Sequence, residues 1–370
     1  MERTHYPDRI SKVYEFVISK GQMPERLDNF LTRSIQNATR NKVQQAIAAG
    51  YVLVNGIQKK ASYKISPNDY IHCTVMKLPP IELIPEDIKL DIIFEDEFLL
   101  VVNKPAGMCV HPGIGNRYGT LVNALLYHLG IRETINIELD DNDNDIDIDI
   151  ENNNADNDNS LDIDEYININ QIQIDGIRPF LVHRIDKDTT GLLVIAKQVE
   201  VHRKLSEQFT NKTTTREYNA IVWGKPKQDT GRIINNIGRS PNDRKSYAVV
   251  EQGGKISITD YKVLERFLYT SLVQFKLQTG RTHQIRVHSS YIGHKLFGDV
   301  RYGGNKILFG RENPQWRNAV LKYLTNSPRQ MLHAKTLGFV HPITNDWLYF
   351  DSELPEDINK LINLMRKFNN

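Results

Sequence analysis

The chain has 370 residues, 47 Lys or Arg against 45 Asp or Glu, a formal charge of +2 and two cysteines, Cys73 and Cys109. The length exceeds one ordinary domain, and two cysteines in separate segments argue against a disulfide or zinc-cysteine framework and for a reducing compartment. The first twenty residues carry Arg3, Asp8, Arg9, Lys12 and Glu15 in place of an apolar signal core, and no uncharged apolar run approaches the ~18 residues of a membrane span. The expectation is a soluble cytoplasmic protein with no membrane partner.

The small net charge hides an uneven distribution. Residues 133–177 hold fifteen acidic residues and no Lys or Arg, so the remainder sets 47 basic residues against 45 less 15, or 30, acidic ones, a net of +17. A basic body with an acidic insertion points to a polyanionic partner, nucleic acid first, with solubility as the plainer alternative.

In chain order, Lys12 to Ile18 alternates like an edge strand, and after Gly21 a helix is expected from near Pro24, with Leu27, Phe30, Leu31 and Ile35 at helical spacing. A second helix carrying Val43, Ala46 and Ile47 should end at Gly50, before Tyr51-Val52-Leu53-Val54 and the Asn55-Gly56 turn. Arg33, Arg40, Lys42, Lys59 and Lys60 fall on polar positions of this unit, as phosphate contacts or as a solvated face. Pro79, Pro80 and Pro85 disfavour helix and place a linker over 77–88, between a first domain at 12–76 and a second at 89–370.

The second domain opens with two strands about an acidic turn, Ile92 to Val102, closed by Asn103-Lys104-Pro105-Ala106-Gly107. The glycines between Gly113 and Gly119 lack the spacing of a dinucleotide loop; Thr120 should cap a helix containing Leu121, Leu125 and a rim residue, His128. The Asp- and Asn-rich tract at 133–177 repels itself and reads as a weakly ordered, dispensable insertion; Asp140, Asn142, Asn144 and Glu151 match part of a calcium loop, but Asp145 stands where the turn needs glycine.

Then comes the run His183-Arg184-Ile185-Asp186-Lys187-Asp188-Thr189-Thr190-Gly191, read as opening the strand Leu192 to Ala196. A charge within a buried strand is costly, so Asp186 and Arg184 are candidates for chemistry, against the bland reading of an Asp capping a turn. Lys187 and Asp188 are expected to face solvent, and Gly191 with Thr189 and Thr190 to form the turn that presents Asp186 and Arg184. A helix over Val201–Phe209 leads to Arg216-Glu217-Tyr218, where alternation sets Tyr218, Ala220 and Val222 on one face. Further on, Gly280-Arg281-Thr282-His283-Gln284-Ile285-Arg286-Val287-His288 packs two arginines and two histidines into an apolar frame; His283 and His288 have no adjacent carboxylate before Asp299, so no metal is expected. Pro355, Ile358, Leu361, Ile362, Met365 and Phe368 describe an amphipathic closing helix.

Arg26-Leu27-Asp28-Asn29-Phe30-Leu31, Thr39-Arg40-Asn41-Lys42-Val43 and Ile47 to Gly56 resemble the alpha-L RNA-binding domain shared with a small-subunit ribosomal protein. The Asp186 run, Arg216-Glu217-Tyr218 and the Gly280 block resemble RluA-type pseudouridine synthases, with Asn103 to Gly107, Val110-His111-Pro112-Gly113 and Met331-Leu332-His333-Ala334-Lys335 as supporting blocks. The subtype that the whole chain resembles acts on the large ribosomal subunit. The resemblance implies an α+β fold with a mixed, largely antiparallel sheet, no cofactor, an RNA partner (large-subunit ribosomal RNA before transfer RNA) and a monomer. It implies that Asp186 is the catalytic carboxylate, attacking ribose or base or removing the 2′ proton. Arg286 would be its counter-charge, Tyr218 the ring against the uracil and Arg184 the replacement for the extruded base, with Arg40, Lys42, Arg281 and His283 on the RNA. A non-catalytic RNA chaperone and a two-carboxylate glycoside hydrolase using Asp186 and Asp188, about 7 Å apart on one strand face, are the competing classes.

Overall fold

The computed structural model describes residues 10–36, 38–76, 81–112, 116–137, 179–241, 243 and 246–369. The acidic tract, including the partial calcium-loop match, therefore lies almost wholly outside the described residues. The chain divides into two compact units, the first holding the chain up to Glu82 together with short stretches of the acidic tract, and the second the remainder from Leu83 onward.

The first unit packs two helices, Leu27–Ser34 and Arg40–Ala48, on a four-stranded sheet that starts with Ile10–Val17 at its edge. The first helix begins three residues after Pro24, because Leu27 and Asp28 donate their N–H groups to the carbonyls of Tyr63 and Ala61 and so tie the helix start to a neighbouring loop. Thr39 caps the second helix by accepting the Lys42 N–H at 3.4 Å. Asn55 and Gly56 both take positive φ, as the tight hairpin between Val52–Val54 and Ile57–Gln58 demands. Leu27, Leu31, Val52, Val54, Ile65 and Ile71 form the core of this unit.

The second unit is built on an eleven-stranded sheet. Every pairing in it is antiparallel except that of Thr190–Ala196 with Leu332–Val340, so the fold is α+β and not doubly wound. All seven residues of Thr190–Ala196 are buried, as suits a central strand covered on both faces. Leu193 and Ile195 face the same core as Leu100, Tyr218, Phe275 and Ile285; Leu192 and Val194 face the core beneath the helix Val199–Thr210. The closing helix, Glu356–Lys367, buries Ile358, Leu361, Ile362 and Met365 as its spacing predicts. Residues 84–88 belong to no helix or strand, in keeping with the prolines, but they are docked: Asn123 Nδ2 donates to the Ile84 carbonyl at 2.7 Å and the Gly119 N–H to Glu86 at 2.8 Å.

Two sequence expectations change here. The strand begins at Thr190, so Arg184, Asp186 and Asp188 belong to the loop before it, and the same-face geometry of Asp186 and Asp188 does not exist. Gly191 is not a turn residue. It sits in the strand at φ +120°, where a Cβ would stand 2.3 Å from the Ala334 carbonyl oxygen, so glycine lets the two parallel strands approach.

Candidate active site

The loop from Val182 to Thr189 is fixed from several sides. The Thr189 N–H closes a turn on the Asp186 carbonyl at 3.0 Å, and Ile185 enters the core. His183 Nε2 accepts the Val194 N–H at 3.1 Å while its ring stacks on Phe209; burial, reinforced by the Arg216 charge, pulls its pKa to about 3, so the ring is neutral. Lys104, at the end of the strand Leu99–Lys104 and 1% exposed, donates to the carbonyls of Pro105, Met108 and Lys187 at 2.8 Å each. Burial draws its pKa down to about 7, but three acceptors around one nitrogen match the three hydrogens of an ammonium and oppose that pull. Arg329 donates to the Asp188 carbonyl at 3.0 Å and is itself clamped by Asp357. Lys187 and Asp188 thus do not simply face solvent: both are partly buried and their carbonyls anchor the loop.

The strand Thr270–Leu277 hands over to the helix Gln284–Tyr291 through a turn in which His283 takes φ 53°. That turn sets Arg286 inside the protein, 4% exposed, between two carboxylates. Its Nη1 donates to Asp186 Oδ2 at 2.8 Å, and its Nε and Nη2 grip Asp299 at 2.8 and 3.0 Å. Asp299 is wholly buried, whereas the Asp186 side chain keeps 21% exposure, so Asp186 is the carboxylate a ligand can reach.

Burial alone would raise the Asp186 pKa; the nearby cations instead hold it at about 2. His283 stands 3.9 Å away, but burial keeps its own pKa at about 4, so at neutral pH Arg286 supplies the compensating charge, with Arg184 adding to it. Tyr302 places its ring under the Arg286 guanidinium at 5.1 Å. Its oxygen accepts the Tyr247 N–H at 3.2 Å and lies 2.9 Å from His283 Nδ1, the acceptor in reach of the phenol hydrogen. Tyr218 is buried in the cluster holding Ile185 and Ile285; burial raises its pKa, so it is a neutral phenol.

Asp186, Arg286, Tyr218, His283 and Arg184 are therefore brought into one electrostatically coupled site. Arg281 is on the exposed start of the turn, its Nε 3.4 Å from the Ile256 carbonyl. Arg40 and Lys42 belong to the first unit, where Arg40 Nε reaches Asp28 at 3.2 Å. Sequence reasoning gave no role to Asp299, Tyr302, Lys104 or Arg329. The first two follow Arg286 without periodicity or motif, while Lys104 stood inside a recognised block with no chemistry assigned to it.

Comparison with known proteins agrees with this geometry. Residues 98–291 match the RNA pseudouridylate synthase family and residues 25–71 match the S4 domain. An uncharacterized RNA pseudouridine synthase of Chlorobaculum parvum is 42% identical over 94% of this chain and 96% of its own length. The chloroplastic RNA pseudouridine synthase 2 of Arabidopsis thaliana is 40% identical over 94% and 81%, and ribosomal large subunit pseudouridine synthase D of Zymomonas mobilis is 38% identical over 92% and 93%. The human RNA pseudouridylate synthase domain containing 4 shares the fold at a TM-score of 0.50, with 21% identity over 74% of this chain and 92% of that one. The chain belongs to the RluA-type RNA pseudouridine synthases that carry an S4 domain. It is an enzyme that isomerises uridine to pseudouridine in RNA.

Proposed function

We propose that the substrate is large-subunit ribosomal RNA and that Asp186 is the catalytic carboxylate. The target preference rests on the names of relatives such as the Zymomonas protein, with transfer RNA as the second substrate class. The role of Asp186 rests on one observation: it is the ligand-accessible carboxylate of a buried ion triad, held ionised by Arg286. A uridine in a stem is out of reach, so the base is extruded at a cost of a few kcal/mol. Arg184, on the rim beside Asp186, fills the gap in the stack. The C1′–N1 bond breaks, the uracil turns, and C1′ bonds to carbon 5, which then loses its hydrogen. Asp186 enters as an ionised group, attacking ribose or base or taking the 2′ proton, and is regenerated when C1′ has bonded to carbon 5; the carbon-5 proton is lost as N1 takes one up, and the neutral Tyr218 packs on the uracil during rotation. Residues 12–76 act as the RNA-anchoring domain, with Arg40 and Lys42 on phosphates, 77–88 as the linker and 89–370, interrupted at 133–177, as the catalytic domain of a cytoplasmic monomer.

Tritium release from carbon-5-labelled uridine in ribosomal RNA tests this. The wild type should release label and Asp186→Ala should lose at least ~10³-fold in rate, as removal of a nucleophilic group does. Equal release by the two proteins would sink the assignment.

A further inference from the structure

Among the described residues three arginines are buried: Arg216, Arg286 and Arg329. Arg286 is gripped by Asp186 and Asp299, and Arg329 by Asp357 and backbone carbonyls. Arg216 is different. It lies two residues before Tyr218 on the strand Thr215–Trp223 and keeps 8% exposure, yet its guanidinium makes no ion pair and no hydrogen bond with any described residue. Its Nε is sealed without an acceptor, and its ring contact is the face of Phe209 at 5.1 Å. Desolvating a cation without a partner strongly destabilises a fold, and a guanidinium with five unmet donors is matched in shape to an oxyanion.

Its surroundings point the same way. Tyr218 feels the charges of both Arg216 and Asp186, so this cation shares the field of the reacting carboxylate. A Cβ on Gly280 would stand 3.1 Å from Arg216 Nη1, so glycine at that position keeps the space beside the guanidinium open.

We propose that Arg216 is the docking point for a phosphate of the substrate RNA adjoining the uridine that packs on Tyr218, its η nitrogens donating to the non-bridging oxygens. The proposal rests on the isomerase site described above, and adds the group that sets where the flipped nucleotide's backbone is held.

The test uses the full chain with Arg216→Met, and Arg216→Lys as a second variant that keeps the charge. Without RNA, Arg216→Met should melt no lower than wild type, because it removes an unpaired buried charge. Inorganic phosphate should raise the melting temperature of the wild type and not that of Arg216→Met. With an unmodified ribosomal RNA transcript, Arg216→Met should lose ~100-fold in kcat/KM, and its plot of log(kcat/KM) against log salt should be shallower by about 0.7–0.9, one phosphate contact. Arg216→Lys should recover that slope. An Arg216→Met protein that melts lower but keeps the wild-type salt slope would make the residue a structural partner of Phe209 and overturn the proposal. An equal phosphate response in both proteins would do so too. An Arg216-dependent phosphate response with an unchanged RNA slope would assign the site to free phosphate instead. A wild type that turns over no RNA but keeps that response would remove the isomerase reading, and the RNA source with it, while leaving the anion site.

Discussion

Each unit of the protein contains a fully buried aspartate that orients arginine, and the two put that device to opposite uses. In the first unit Asp28 accepts from Arg26 at 2.9 Å, from Arg40 at 3.2 Å and from Gln44 at 2.6 Å. Its arginines point outward, Arg40 with 56% of its side chain exposed. In the second unit Asp299 grips an arginine that points inward to another carboxylate. The charge balance differs accordingly. Asp28 is one anion among solvated cations, so its surroundings hold its pKa well below the usual carboxylate range, the Arg26 hydrogen bond first. Arg286 is one cation shared by two anions, and one of those, Asp186, is the proposed catalyst. An outward arginine offers its spare donors to phosphate; an inward one keeps a carboxylate charged where water is scarce.

The sharpest way to break this contrast is Arg286→Met. Two carboxylates would then be left in a site without their cation, and loss of one partner from a buried pair costs about 3–5 kcal/mol. The pH dependence should reverse. In the wild type the Asp186 pKa of about 2 lies below its unfolded value, so its contribution is present above about pH 4 and lost as pH falls toward 2. In the variant only Arg184 still opposes burial, so the folded pKa should rise above the unfolded one and stability should fall as pH rises from about 4. Urea unfolding at pH 5 and 7.5 checks this; a deficit equal at both values would mean that Arg286 does not set the ionisation of Asp186.

Asp28→Asn should have a smaller effect, about 1–3 kcal/mol, the range for a buried hydrogen-bonding group left mismatched. Because the Asp28 pKa is depressed in the folded state, the wild-type advantage over the variant should be complete above about pH 4, shrink as pH falls below it, and be lost only once the folded carboxylate itself protonates. Thermal unfolding at pH 7 and pH 3 measures it, and an advantage as large at pH 3 as at pH 7 would show that the ion pairs are not its source.

The same contrast marks what was legible in the sequence. Asp186, Tyr218 and Arg286 lie in short motifs that resemble those of the RluA-type family, and it was the resemblance, not the local alternation, that implied their convergence. The elements also followed from spacing and caps, as with Thr120, whose capping box with Asn123 starts the helix Leu121–His128. Three things were not legible. The Asp186 run looked like strand because its apolar neighbours continue into one; the Lys187 and Asp188 carbonyls held by Lys104 and Arg329, with the turn that Thr189 closes on Asp186, keep it as a loop. Asp299 and Tyr302 sit on a connection whose course depends on tertiary packing, and no periodicity encodes that. Arg216 read as one more polar residue at the head of a strand, since lack of a partner is a property of three-dimensional neighbours.

Arg40→Ala should give the smallest change, and it separates the two uses of the buried aspartate most cleanly. Asp28 keeps Arg26 and Gln44 when Arg40 is removed, and an exposed ion pair adds little to folding, so the melting temperature should stay near that of wild type. If Arg40 is held outward to meet RNA, kcat/KM should fall through KM with kcat unchanged, and the salt slope should flatten by about 0.7–0.9, one phosphate contact. The Arg286 variant should lose kcat as well, since its cation is bonded to the proposed catalytic carboxylate. An Arg40→Ala protein with lowered kcat at saturating RNA would break the contrast, because the outward arginine would then be contributing to the chemical step and not to capture of the substrate.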